Sequence, residues 1–459
     1  MKLSITNIKI VLLVLCSCLL INCSNKSDES DDGTSSNNAE LTITGVLNDF
    51  GEVQIETNSS VKSLLIRGLN LTTAVTIEST HTDFELSLDS NNYSTLISIP
   101  PTDVNDQIAT VFIRFSPSTN SLGGISGELL ISNSESNTNF SRDLSGIGIP
   151  VTHNYQAFSN QPLGFGGGFS QSAQQTFMLH DDLSNIETIN MFLEIDCPST
   201  GCDDWDRFAN VKVKDPATGN WYEIGRYITP YWVGTELLPK GLQFDVTDFK
   251  SLLTGNVELR IYIENWTQKT DLVSVEFDFV EGTPDYPYYN IAEVLPYHNN
   301  SISGVPYGVN HTFGLIKNIS IPANAEEIEL RTIISGWGHA TPNDPDGRGC
   351  AEWCFRTHNI KINGSSSYSH DLSPIGCASN PISNQSPGNW MPDRAGWCPG
   401  MAVPVRSDII PNSMAGNTFN FEYEFENWTN NSGNGDAYYA TSTYIVVKSN
   451  TSINAPIVN

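Results

Sequence analysis

The sequence predicts an all-β protein made of three sandwiches in a row, and two observations carry that expectation. Short segments alternate apolar and polar residues with period two and close on Asn, Ser, Gly or Pro. In the first third these are LTITG, VKSLLIRG, ATVFIRFSP and GELLISN. Beyond residue 150 they are ANVKVKD, NWYEIGRYI, NVELRIYIEN, LVSVEFDFV, EIELRTIIS, HNIKING, FNFEYEFENW and STYIVVKS. The second observation is a break in composition. All nine tryptophans lie beyond residue 200, so the tryptophan-free stretch from Leu41 to Pro150 stands apart as a sandwich of its own. Only Val246 to Leu253 has a helical pattern.

The remaining elements follow in chain order. Lys2 and Lys9 precede an apolar run from Ile10 to Ile21, long enough for a secretory signal and too short to span a bilayer. The run ends at Leu20-Ile21-Asn22-Cys23, the form of a bacterial lipoprotein cleavage site with Cys23 as the lipidated residue. Cleavage at the competing Cys18 would leave too short an apolar core. Residues 1–23 are therefore expected to be a lipoprotein signal peptide, and residues 24–40, polar and acidic, a disordered tether. The expected location is outside the cytoplasm, on the outer membrane or cell surface of a bacterium. The membrane is met only through the lipid, and plain secretion is the alternative.

Residues 41–150 carry Asp49-Phe50-Gly51-Glu52-Val53, Phe115-Ser116-Pro117 and Leu144-Ser145-Gly146-Ile147-Gly148. Together these resemble the immunoglobulin-like modules related to the abnormal-spindle and hydin family, which implies a spacer or adhesion unit. The run from Glu281 to Asn290, with two prolines and a glycine, marks a hinge between two further sandwiches, 151–283 and 284–459. A faint repeat, IYIENWT at 261–267 and YEFENWT at 423–429, supports that division.

Export decides how the cysteines are counted. Six lie outside the signal region: Cys197, Cys202, Cys350, Cys354, Cys377 and Cys398. An even number in an oxidising compartment favours disulfides. Local spacing suggests Cys197–Cys202, Cys350–Cys354 and Cys377–Cys398. A zinc site at CAEWCFRTH would need a further ligand, and no second knuckle of matching spacing occurs. No metal and no cofactor are expected. The net charge of −28 disfavours nucleic acid and anionic membrane surfaces as partners. An uncharged partner such as a glycan is easier to accommodate, and the chain is expected to act as a monomer.

Three carboxylates sit beside tryptophan or arginine. Asp206 lies between Trp205 and Arg207 in GCDDWDRF, Glu264 is two residues from Trp266 in IENWT, and Glu352 precedes Trp353 between two cysteines. On a strand, the Glu264 and Trp266 spacing places both side chains on one face. Tryptophan faces grip sugar rings, and carboxylates in different environments can divide acid and base roles. Each carboxylate also has a bland structural reading. Asp203 and Asp204 are expected to be solvated, and His339 and His358 to be ordinary surface or core histidines. The glycine-rich LGFGGGFSQS at 163–172 lacks the lysine and following helix of a phosphate loop, no GxSxG occurs, and paired cysteines offer no nucleophile.

Longer stretches carry a further resemblance. CDDWDRFANV, GNWYEIGRYITPYWVGTE, GTPDYPYY, SGWGHATP, RGCAEWCFRTH and NQSPGNWMPDRAGWCPGMAVP together are similar to the peptide-N-glycosidase F family over roughly residues 165–459. The resemblance implies two eight-stranded antiparallel jelly-roll domains side by side, with the active site where they meet. It implies hydrolysis of the amide joining an asparagine side chain to the first N-acetylglucosamine of an N-linked glycan. The family's catalytic carboxylates fall on Asp206, Glu352 and Glu264. Its cleft residues fall on Arg207, Trp266, Trp337, Arg394 and Trp397, and its disulfides on the three pairs above. Departures are mild: Asp204 stands where Glu is common, and Asn265 stands beside Glu264. Two rival functions remain, a glycosidase cutting between sugars and a non-catalytic surface N-glycan-binding lipoprotein.

Overall fold

The computed structural model describes residues 38–136, 139–297, 304–307, 313–340, 349–425 and 437–459. The expected signal peptide, Cys23, most of the tether and the second copy of the ENWT repeat lie outside the described residues. Those residues are built from strands, with four single-turn 3-10 helices and no α-helix among them.

The chain separates into two compact units. In the first, the strands Glu40–Thr44, Lys62–Leu69, Ala109–Phe115 and Phe84–Ser87 form one antiparallel sheet. Val75–Ser79 pairs with Leu96–Ile99 and with the end of Gly123–Ser132 in a second sheet. The strand VTIES alternates buried and exposed residues along its length, as a half-buried strand must. Phe84 and Phe115 stack within the core at a centroid separation of 4.9 Å. This is the immunoglobulin-like sandwich.

The second unit is Gly51–Asn58, Ser116–Ile125 and Gly146–Asn459. It contains two antiparallel sandwiches. In the first, the sheet Thr152–Leu163, Asp271–Glu281, Ile186–Asp196 and Leu242–Asp245 faces the sheet Ser172–Met178, Asn256–Ile263, Phe208–Lys214 and Trp221–Ile228. In the second, Tyr288–Tyr297, Tyr438–Ser449, Glu327–Trp337 and Val405–Ile409 form one sheet. Ser365–Asp371, Thr357–Ile362, Thr418–Glu424 and Ile316–Ser320 form the other, and each sheet carries a further two-residue strand. Val246 to Leu253, expected to be helical, makes only a 3-10 turn at Thr247–Phe249. So short a segment does not recover the cost of nucleating a helix, and its purpose is to bury Phe249 and Leu253.

The seam between these two sandwiches positions the site. Trp221–Ile228, Glu327–Trp337 and Tyr438–Ser449 are buried on both faces for nearly their whole length. One apolar cluster joins Phe208, Ile228 and Tyr262 of the first sandwich to Ile333, Trp337, Trp397, Val403 and Ala440 of the second. Within it lies a fully buried ion pair, Arg226 with Glu223 at 2.7 Å. Arg226 also donates to Ser335 Oγ at 3.0 Å, the Ala440 carbonyl at 2.7 Å and Ser442 Oγ at 3.0 Å, all across the seam. A buried charge survives only when its hydrogen-bonding capacity is met, so this pair fixes one docking of the two sandwiches.

Candidate active site

Asp206 sits in the turn that leads into the strand Phe208–Lys214. Thr229 clamps this turn: its hydroxyl accepts from the Arg207 N–H at 2.9 Å and donates to the Trp205 carbonyl at 3.1 Å. Ala209 pairs with Ile263 in the neighbouring strand, and the Glu264 N–H donates to the Phe208 carbonyl at 2.9 Å. Ladder pairing therefore brings Asp206 and Glu264, far apart in the chain, to the same end of one sheet. Glu264 and Trp266 lie just past the end of their strand rather than in it. They still meet, because the Trp266 indole N–H donates to Glu264 Oε1 at 3.2 Å.

Glu352 comes from the other sandwich. Its N–H donates to the Gly338 carbonyl at 3.1 Å, and its own carbonyl accepts from the Ala395 N–H at 2.7 Å. The flanking disulfide Cys350–Cys354 closes the loop around it. All three cysteine pairs expected from spacing form, with Cα separations of 4.7, 4.8 and 5.3 Å. The thiols of CAEWCFRTH are thus used in a disulfide. The double substitution Cys350→Ala, Cys354→Ala is expected to lower kcat at least tenfold, since displacements near 1 Å can cost about 100-fold. The stability loss should be smaller than the ~3 kcal/mol of a fifteen-residue loop. Unchanged kcat in the folded variant would show that the bridge does not aim Glu352.

Arg394 joins the two halves. Its side chain is almost fully buried, and Nη2 lies 3.3 Å from Asp206 Oδ2 while Nε lies 3.9 Å from Glu352 Oε1. The guanidinium is held by the carbonyls of Pro392 at 2.8 Å and Asn389 at 2.6 Å, and by the Tyr231 hydroxyl at 3.3 Å. It lies over the ring of Trp353 at 4.5 Å and Trp397 at 5.2 Å. Burial raises the Asp206 carboxyl above its ordinary range, opposed by Arg394. Burial, with Asp206 nearby, pushes Glu352 up to about 7. Burial likewise pushes Glu264 to about 7, against the Trp266 hydrogen bond and Arg207. Strongly shifted carboxyls gathered in one place are the electrostatic mark of a reactive site.

Several expectations change. Asp203, expected to be solvated, is 1% exposed and forms the ion pair with Arg207, so Arg207 is not paired with Asp206. Asp203 also accepts from the Thr267 hydroxyl at 3.1 Å, which ties the Asp206 turn to the Trp266 turn. Asp204 pairs with Lys269. Trp337 and Trp397 are buried and stacked on one another at 4.4 Å, forming a wall behind Arg394 rather than free faces. Trp205 and Trp266 present open indoles. His358 is a buried core histidine, held neutral by desolvation. His339 is the hydrogen-bonded surface histidine expected, and it stands beside the site: its Nε2 accepts from the Trp353 indole at 2.7 Å and lies 3.3 Å from Glu352 Oε2. Tyr231 was not singled out in the sequence, although it belongs to a motif quoted above, and Trp353 was noted only as the neighbour of Glu352.

With this geometry in view, similarity to known proteins is informative. The chain is 57% identical over 317 residues to peptide-N(4)-(N-acetyl-beta-D-glucosaminyl)asparagine amidase F of Elizabethkingia miricola, spanning 69% of this chain and 90% of that one. The chain belongs to the peptide-N-glycosidase F family. Residues 309–446 match the family profile for the C-terminal part of peptide-N-glycosidase F. The solved structure of PNGase F, a glycosylasparaginase from Flavobacterium meningosepticum, aligns with a TM-score of 0.66 at 58% identity, covering 67% of this chain and 99% of that one. A second solved structure, recombinant peptide:N-glycanase F, aligns at 0.66 and 59%. PNGF-II shares the fold over 86% of this chain, with a TM-score of 0.55 at 13% identity. About two thirds of this chain thus answers to nearly the whole of that solved structure, and the C-terminal profile falls within the second of the two C-terminal sandwiches.

Proposed function

We propose that this chain is a peptide-N-glycosidase. It hydrolyses the amide between an asparagine side chain and the innermost N-acetylglucosamine, releasing the glycan as a glycosylamine and leaving aspartate in the peptide. The observation that carries this reading is the convergence of Asp206 and Glu352, from two different sandwiches, on the one buried guanidinium of Arg394.

In the proposed mechanism, ionised Asp206 accepts a proton from the attacking water as its oxygen bonds to the amide carbonyl carbon. The carbonyl oxygen becomes an oxyanion stabilised by the positive charge of the Arg394 guanidinium. Asp206 then returns the proton to the amide nitrogen, the C–N bond breaks, and the glycosylamine leaves. Glu352, ionised, holds Arg394 from the opposite side and orients the water. Glu264 and Trp266 hold the first sugar ring, and Arg207, braced by Asp203, holds the turn between them. Trp337 and Trp397 back the guanidinium and keep water from it.

The chain is exported, in keeping with its three disulfides. We further propose that it is tethered through a lipid on Cys23 and acts as a monomer on N-glycosylated proteins or glycopeptides, with residues 41–150 as a stalk.

The test is digestion of a denatured N-glycoprotein followed by peptide mass analysis. Aspartate at the former glycosylation site supports the amidase. A retained innermost N-acetylglucosamine would replace it with a glycosidase, and unchanged glycopeptide with a binder.

The pH dependence follows from the same groups. The cluster must be ionised, so kcat/KM is expected to rise as pH passes through about 7, a step that belongs to the Asp206–Glu352 pair. Stability moves the other way. Glu264, Asp271, Glu293 and Glu352 are each pushed by burial to about 7 in the folded chain. Their contribution to stability is fully present below the unfolded values near 4 and is lost as pH rises through about 7. Glu293 neighbours Lys212 and Glu223. Glu293→Gln should therefore flatten the fall in Tm between acid and neutral pH while leaving the kcat/KM limb in place. A limb that moves with Glu293 would overturn the assignment.

A further inference from the structure

We propose that the glycine-rich hairpin at residues 164–170 and the turn bearing Trp266 form an additional sugar subsite, an aromatic shelf for a pyranose of the glycan beyond those held at Glu264. This rests on the amidase reading and extends it outward from the reacting amide.

The shelf is built from the one sequence motif left without a role, LGFGGGFSQS. Its hairpin closes through the Gly164 N–H to the Ser170 carbonyl at 3.0 Å and the Phe169 N–H to the Gly166 carbonyl at 3.0 Å. It is stitched to the Trp266 turn by the Phe165 N–H donating to the Thr267 carbonyl at 2.8 Å. Gly166, Gly167 and Gly168 all have φ between +61° and +96°, a backbone that side-chain-bearing residues rarely adopt. The tip therefore carries no side chains, and the aromatics flanking it stand clear.

Three large apolar side chains are exposed here: Phe165 at 47%, Phe169 at 41% and Trp266 at 51%. Phe165 meets Trp266 edge-on, with ring centroids 5.0 Å apart. Beside them lies an open cleft of about 450 Å³, lined by Phe165, Phe169, Ser170, Gln171 and Tyr262 among others. The Tyr262 hydroxyl is shielded from solvent and has no hydrogen-bond partner among the described residues. Aromatic faces rimmed by hydroxyl and carboxamide groups match a pyranose, which has an apolar C–H face and a hydroxyl edge. Uncharged sugar also suits a chain of net charge −28.

Continuity with the candidate active site selects the glycan as occupant. The indole of Trp266 bonds Glu264 on one side and meets Phe165 on the other, so one ring spans the inner site and the shelf. The groups proposed to face the scissile amide, Asp206 and Glu352, converge instead on Arg394. A chain running outward past Glu264 is therefore the sugar chain, not the peptide.

The experiment uses the full chain and two glycopeptides of identical peptide sequence, one bearing only the two innermost N-acetylglucosamines, the other extended by a branched mannose core. Phe169→Ala is expected to raise KM for the extended substrate roughly five- to tenfold, with kcat and the short substrate changed by less than about twofold. Phe169→Tyr should restore the extended substrate. The proposal is overturned if both substrates weaken equally, if neither weakens, or if the loss follows peptide sequence at fixed glycan. Wild-type chain that cleaves neither substrate would overturn the amidase reading itself, a result distinct from cleavage of both with Phe169→Ala indifferent.

Discussion

Asp206→Asn is expected to reduce kcat by about three to four orders of magnitude, the upper range for loss of a general acid–base group. The substitution keeps shape and volume, so the Asp206 turn, clamped on Thr229, should not move. What is lost is the ability to take a proton from water and return it to nitrogen. The amide NH₂ also places a donor where Arg394 Nη2 now meets a carboxylate oxygen at 3.3 Å. Stability should not fall with activity. Burial disfavours the ionised Asp206, so a neutral side chain relieves that cost, and Tm is expected to be unchanged or raised. Single-turnover kinetics on a glycopeptide, with calorimetry on the same sample, reads both effects. More than about a tenth of wild-type kcat would remove Asp206 from the proton-transfer role.

Glu223→Ala carries the largest expected effect on folding, a loss of about 3–5 kcal/mol in unfolding free energy. The substitution strands Arg226, which has no exposed surface and donates two of its hydrogen bonds to Glu223. Ser442, which donates to Glu223, loses its acceptor as well. The double change Glu223→Leu, Arg226→Met should recover most of the loss, because an apolar pair of similar volume avoids burying either charge. If Glu223→Ala costs under about 1 kcal/mol, solvent reaches the seam and the pair is not the docking constraint argued here. Equilibrium denaturation with both variants decides the matter. Since Asp206 and Glu352 come from opposite sides of this seam, the double variant also tests whether apolar docking alone restores their spacing.

Much of the candidate site could be read before the fold. Asp206, Glu264 and Glu352 each stand beside an aromatic or arginine within a few residues, so local sequence marked them. Export, inferred from the first 23 residues, turned six cysteines into three local pairs, and those pairs form. The residues not recognised share a different property. Asp203 looked solvated because three acidic residues lie within four positions, yet its partners, Arg207 and Thr267, close around it only when two strands align. Tyr231 and His339 meet Arg394 and Glu352 across turns, and nothing in their own neighbourhoods announces it. Trp337 and Trp397, counted as cleft walls, are consumed by the seam.

The chain's own order of residues thus determined the all-β class, the front sandwich, the disulfides and the three carboxylates proposed for the site. Each rests on local spacing: period-two alternation, a signal-like start, cysteines a few residues apart. Only the tertiary structure decided that NWYEIGRYI is buried on both faces, with Glu223 and Arg226 inside rather than on a solvated edge. Alternation reports which side chains share a face, but whether the polar face meets water or another sheet depends on a surface supplied by residues more than a hundred positions away. Asp206 and Glu352 became a single site for the same reason. Their separation is set by how two sheets dock around one buried guanidinium, a distance no local pattern encodes.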